Sequence, residues 1–168
     1  MTLKKIALVA ALAALSSASF ANTVTFQGKI IAGACGISGD TVDQIVQLGD
    51  VPANVFQAAG DRSTPVPFWI ELTDCDTTTT KNAKFTFTGT SVASAPALFA
   101  TTGAATNVGI RLEAGSGTAL DNGVEQAAPV LLQPGNNRVQ FGARYESTAA
   151  TVTPGDADAV ANFTIRYY

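Results

Sequence analysis

Few side chains in this sequence are placed to do chemistry, and the gaps among them are informative. There are 13 acidic residues, two cysteines and no histidine. Without histidine, the usual base for a serine or cysteine nucleophile is missing, and so is the commonest ligand of catalytic zinc. Carboxylate pairs remain. Asp74 and Asp76 flank Cys75, and Asp156 and Asp158 follow Pro154-Gly155. A glycosidase needs two carboxyls facing each other across a cleft, whereas these pairs sit beside turn residues and read as solvated loop ends. Neither is dense enough in oxygen ligands for a calcium loop. Gly115-Ser-Gly117 is a fragment of a nucleophile elbow without the full motif or a base, and reads as a turn. Asn162-Phe-Thr164 fits a glycosylation acceptor by pattern but lies inside a predicted strand. The residues point to a protein that is not an enzyme and that needs no metal or cofactor.

The cysteines are read through the chain's opening residues. Lys4 and Lys5 precede the apolar run Ile6 to Leu15, and Ser19-Phe20-Ala21 offers small residues at the positions a signal peptidase reads. Residues 1–21 are therefore expected to be a signal peptide, with Asn22 the first mature residue. Export implies an oxidising compartment, in which a Cys35–Cys75 disulfide is the default reading. Closing that loop of about 41 residues is worth about 4 kcal/mol in the chain-entropy model. Losing Lys4 and Lys5 from 10 basic residues leaves 8 against 13 acidic ones, a net charge of −5. With no basic cluster and no arginine–aromatic interleaving, nothing here attracts nucleic acid.

The elements that must position these residues read as all-β, in one domain. Thr23 to Ile31 alternates, with Val24, Phe26, Gly28 and Ile30 on one face and Thr23, Thr25, Gln27 and Lys29 on the other. Further strands are predicted at Gln44–Leu48, Pro67–Thr73, Lys84–Thr88, Asn107–Glu113, Arg138–Tyr145 and Ala161–Tyr168. In these, Phe68, Ile70, Leu72, Phe85, Phe87, Val108, Ile110, Leu112, Val139, Phe141, Ala143, Tyr145, Ala161, Phe163, Ile165 and Tyr167 face inward, and Arg111 and Glu113 face outward. Gly115-Ser-Gly117 and Asp121-Asn-Gly123 mark tight turns. Thr77–Thr80 reads as a loop. Helix signal is weak: Val51–Ala59 holds at most one turn, and the alanine-rich Ser91–Ala105 another. Trp69 shares a face with Glu71 and Thr73, so it is expected to be exposed or in a subunit contact.

Several features then coincide in order and spacing. Gly28 stands seven residues before Cys35, and the second cysteine lies in Leu72-Thr-Asp-Cys-Asp76. Phe141-Gly-Ala-Arg-Tyr145 is followed by Pro154-Gly155 and Ala157-Asp-Ala159, and the sequence closes on Phe163-Thr-Ile-Arg-Tyr-Tyr168. Over essentially the whole mature chain this resembles the major pilins of the chaperone–usher pathway, close to the type 1 fimbrial rod subunit. The resemblance implies an incomplete immunoglobulin-like sandwich lacking its final strand. It implies partners too: a periplasmic chaperone, an outer-membrane usher and further copies of the chain in an extracellular fibre. By the same resemblance residues 22–34 are a donor-strand extension and residues 35–168 the pilin domain. Val24, Phe26, Gly28 and Ile30 match the side chains that plug a neighbour's groove, with Gly28 at a shallow pocket. Ala161, Phe163, Ile165 and Tyr167 match the strand that lines the groove, and Tyr167 and Tyr168 the place where a chaperone docks. Two other classes remain open at this point: a minor or tip subunit that binds carbohydrate, and a secreted hydrolase using paired carboxylates.

Overall fold

The computed structural model describes residues 33–168 together with Val24, Thr25, Gly28 and Ile30. The chain falls into two units, Met1–Ile30 and Ile31–Tyr168, and every element below belongs to the second. Among the described residues there are ten strands: β1 (Gly36–Ile37), β2 (Val66–Cys75), β3 (Asn82–Gly89), β4 (Ser91–Val92), β5 (Ala95–Ala100), β6 (Val108–Ala114), β7 (Ala119–Leu120), β8 (Val130–Leu131), β9 (Gly135–Ser147) and β10 (Ala161–Tyr167). They form two sheets. The larger runs β1-β2-β9-β6-β5-β4 with β7 added to β6, and the smaller runs β10-β3-β8.

The expected two-residue alternation builds the core between these sheets. Ile70 and Leu72 from β2, Phe85 and Phe87 from β3, Ile110 and Leu112 from β6, and Val139, Phe141 and Ala143 from β9 are buried together. Phe141 is their centre, 5.0 Å from both Phe85 and Phe87 with edge-on rings. That geometry suits the aromatic quadrupole and adds about 1 kcal/mol per pair beyond burial. Cys35 and Cys75 are bonded across a sequence separation of 40, with Cα atoms 4.1 Å apart. The predicted turns are present as well: Gly117 and Gly123 have φ of 81° and 78°, a left-handed backbone that glycine adopts without steric cost.

Four readings need correction. Gln44–Leu48 joins no ladder. Ser38 N donates to Glu71 O, Thr41 Oγ1 accepts from Glu71 N, and Gln44 Nε2 donates to Trp69 O, so this stretch follows the edge of β2 only as far as Gln44. Beyond it the backbone has no neighbouring strand among the described residues. Ser91–Ala105 holds strands β4 and β5 instead of a helical turn. Pro96 disfavours a helix, and Phe99 pairs with Ile110 in β6 while its ring is buried in the core. Arg111 and Glu113 lie on the outward face of their sheet yet are buried, at 7% and 4% exposure. Ala161 is exposed, whereas Phe163, Ile165 and Tyr167 pack against the core as expected. Among the described residues the one helical piece is a 3-10 turn at Ala53–Val55, inside the stretch allowed a single turn.

Candidate functional site

Among the described residues the sandwich is open along one side. β10 pairs with β3 on one edge only, and the stretch that leaves β2 after Gln44 pairs with nothing among the described residues. Between them lies a groove of about 1190 Å³, lined by residues 41–51 on one wall and 152–163 on the other. Its floor is the hydrophobic core: Phe68, Ile70, Phe87, Phe99, Ile110 and Ala143 all line it. Val46 and Leu48 pack against that core from the first wall and Phe163 from the second. The Phe163 ring stands 6.1 Å from that of Phe87. Phe163, Ile165 and Tyr167 are only half-buried. An apolar trench with an unpaired strand edge beside it offers both things an extended segment needs, namely main-chain partners and pockets for alternate side chains.

The second wall is held by specific contacts. Thr102 and Asp158 form an isolated bridge, as do Thr106 and Thr153. Tyr145 Oη donates to Ala157 O at 3.2 Å, which ties Phe141-Gly-Ala-Arg-Tyr145 to Ala157-Asp-Ala159. Burial, with the negative charges of Asp158 and Asp50, pushes the Tyr145 phenol above its ordinary pKa. A Cβ on Gly155 would stand 2.6 Å from Ala105 N, so this loop closes only around glycine.

Of the residues assigned from sequence, Ala161 and Phe163 line the groove. Ile165 and Tyr167 share the inward face of β10 but lie farther along it. Tyr168 pairs its backbone with Asn82, and its ring sits 4.6 Å beneath the Arg166 guanidinium. Val24, Gly28 and Ile30 belong to no strand ladder, and Phe26 lies outside the described residues. The groove's floor and its first wall were not anticipated. Gln44–Leu48 did carry a signal, since its alternation puts Val46 and Leu48 inward, but nothing in it announces the lack of a partner strand.

On the opposite side of the larger sheet the outward face carries charge that is mostly covered. Glu146 accepts from Arg62 Nε at 2.7 Å and from Arg111 Nε and Nη2 at 3.0 and 3.2 Å. Arg111 Nη1 also donates to Asp121 Oδ1 at 2.8 Å, and Arg144 pairs with Glu113. Burial alone pushes the Glu146 carboxyl up, but the hydrogen bonds and charges of Arg111 and Arg62 outweigh it and hold it below the ordinary value. Trp69 is half-buried beneath the Arg138 guanidinium, 4.4 Å from the ring centroid, so the face a sugar would stack on is occupied.

A profile described as Fimbrial protein matches residues 24–168. The chain is 42% identical to the laminin-binding fimbrial subunit ElfA of Escherichia coli O157:H7, over 87% of this chain and 83% of that protein. It is 38% identical to the type-1 fimbrial protein, A chain, of Escherichia coli, over 99% of this chain and 100% of that protein. Among solved structures, a chain from a chaperone–usher pilus superposes with a TM-score of 0.75 at 30% identity, covering 88% of this chain and 95% of that one.

Proposed function

The chain belongs to the fimbrial protein family, and from that premise we propose that it is a non-enzymatic structural subunit that polymerises by lending its leading strand to a neighbour's groove. Residues 1–21 are a signal peptide removed on export, residues 22–34 the donor extension, and residues 35–168 the accepting domain. The observation that carries this reading is the open groove floored by core aromatics and flanked by the unpaired edge of β10. Val24, Phe26 and Ile30 of one copy fill it in another, and Gly28 passes where a side chain would clash. Burying those three side chains contributes about 5–9 kcal/mol before the cost of ordering the strand. Until a neighbour arrives, a periplasmic chaperone covers the same edge, and an outer-membrane usher is the place of exchange. The product is an extracellular fibre used in adhesion.

Deleting Asn22–Ile30 from the mature protein tests this. Electron microscopy of the purified surface material is expected to show no filaments from the deleted chain, while unaltered chain forms them. Filaments of normal length from the deletion overturn the proposal. Gly28→Asn is expected to slow or block polymerisation while leaving the domain able to accept a strand from unaltered copies. Normal assembly kinetics for that variant remove the assignment of Gly28 to a shallow pocket.

A further inference from the structure

We propose that the rim of the groove is an electrostatic guide, which draws in the neighbour's leading segment through Lys29. This rests on the groove being the acceptor of that segment, and it adds a basis for speed that apolar burial does not supply. Four carboxylates line the groove, Asp43, Asp50, Asp156 and Asp158, and no lysine or arginine among the described residues does. All four are exposed, and none is ion-paired with a described basic residue. The segment that enters has the opposite character. Residues 22–34 hold no acid and one basic side chain, Lys29, beside the α-amino group of the mature terminus at Asn22.

Direction follows from the topology. Every ladder among the described strands is antiparallel. A segment added to β10 in the same sense brings its later residues to the Ala161 end, just where Asp156 and Asp158 lead into the strand. Asp50 lines the facing wall of the same groove. Lys29 then meets the carboxylates. A parallel entry carries Lys29 toward Tyr167, roughly 20 Å away at about 3.3 Å per residue. That is well beyond the screening length of about 8 Å at physiological salt, so Lys29 gains from the charges only in the antiparallel approach. Pairs this exposed add little to final stability; complementary charge of this kind acts on the encounter rate.

The test uses the subunit lacking Asn22–Ile30, whose groove its own copies cannot fill, and two N-acetylated fluorescent peptides of residues 22–31, one unaltered and one carrying Lys29→Gln. Capture is followed by anisotropy at about 0.02 M and about 0.5 M NaCl, either side of the screening transition. The unaltered peptide is expected to be captured about tenfold faster at low salt, and the Lys29→Gln peptide at a rate nearly independent of salt. Asp156→Asn with Asp158→Asn in the subunit is expected to flatten the slope for the unaltered peptide. Equal salt dependence for both peptides on the subunit that keeps Asp156 and Asp158, with capture intact, overturns the guide and leaves the groove reading standing. Capture of neither peptide overturns the groove reading and this inference with it.

Discussion

Glu146 shows how much one side chain can carry. It is the shared acceptor of Arg62 and Arg111 on a covered face of the sheet, so Glu146→Ala leaves cationic groups with too few partners. Removing one member of a buried ion pair costs about 3 kcal/mol, which is expected to lower the denaturant midpoint at unchanged slope. The sign of the pH effect follows from the lowered carboxyl pKa. The group contributes its full stability above the ordinary glutamate range and loses it as pH falls through the depressed folded value. The stability difference between roughly pH 7 and pH 3 is therefore expected to be smaller in Glu146→Ala than in the unaltered chain, as equilibrium unfolding at both pH values will measure. Alternation along β6 placed Arg111 and Glu113 on the correct face. It did not reveal their burial, because their covering comes from partners 35 and 31 positions away, and a single strand's pattern holds no record of cross-strand pairing.

The strands with a single buried face were the legible elements. β2, β3 and β9 contain the predicted runs and β6 holds all of its run but Asn107, and their inward residues meet at Phe141 as the two-residue period requires. β4 and β5 were hidden in an alanine-rich stretch whose strand character depends on tertiary contact. Gly109 marks that contact. A Cβ there would stand 2.9 Å from Val92 Cγ2 and 3.0 Å from Leu98 Cβ, so the β4–β5 hairpin sits directly over it. Gly109→Val is expected to cost about 1–3 kcal/mol through overpacking and to speed amide exchange in β4 and β5 ahead of the rest of the sheet. Uniform exchange across both sheets would place the strain elsewhere. Gln44–Leu48 was misread for the opposite reason. Its side chains alternate properly, but a strand also needs a backbone neighbour, and none of the described residues supplies one.

At the scale of the whole molecule the sandwich exposes part of its own interior. Its floor is made of residues that any alternation pattern assigns to the core, so the sequence could suggest an open side only by resemblance, and could not say which core residues would face it. A subunit whose groove is filled has no easy route to unfolding, because withdrawal of the guest strand must precede it. Assembled filaments are accordingly expected to resist detergent and heat far longer than single domains whose groove is empty, with a lifetime set by a rate and not by an equilibrium. Gel mobility after timed heating separates the two; equal lifetimes would show that the groove contributes nothing to persistence.

The disulfide acquires a mechanical meaning in such a fibre. Only a few residues separate Ile30 from Cys35, and Cys35 is bonded to Cys75 at the end of β2, which lies beside β9 in the larger sheet. If the leading segment links subunits as proposed, tension arriving through it passes covalently into that long central pair, bypassing the two-residue β1 ladder that would otherwise be peeled open first. Reduction of that one bond would convert a shear load on long strands into unzipping of a short one, and the filament would yield at lower force without losing a single contact between subunits.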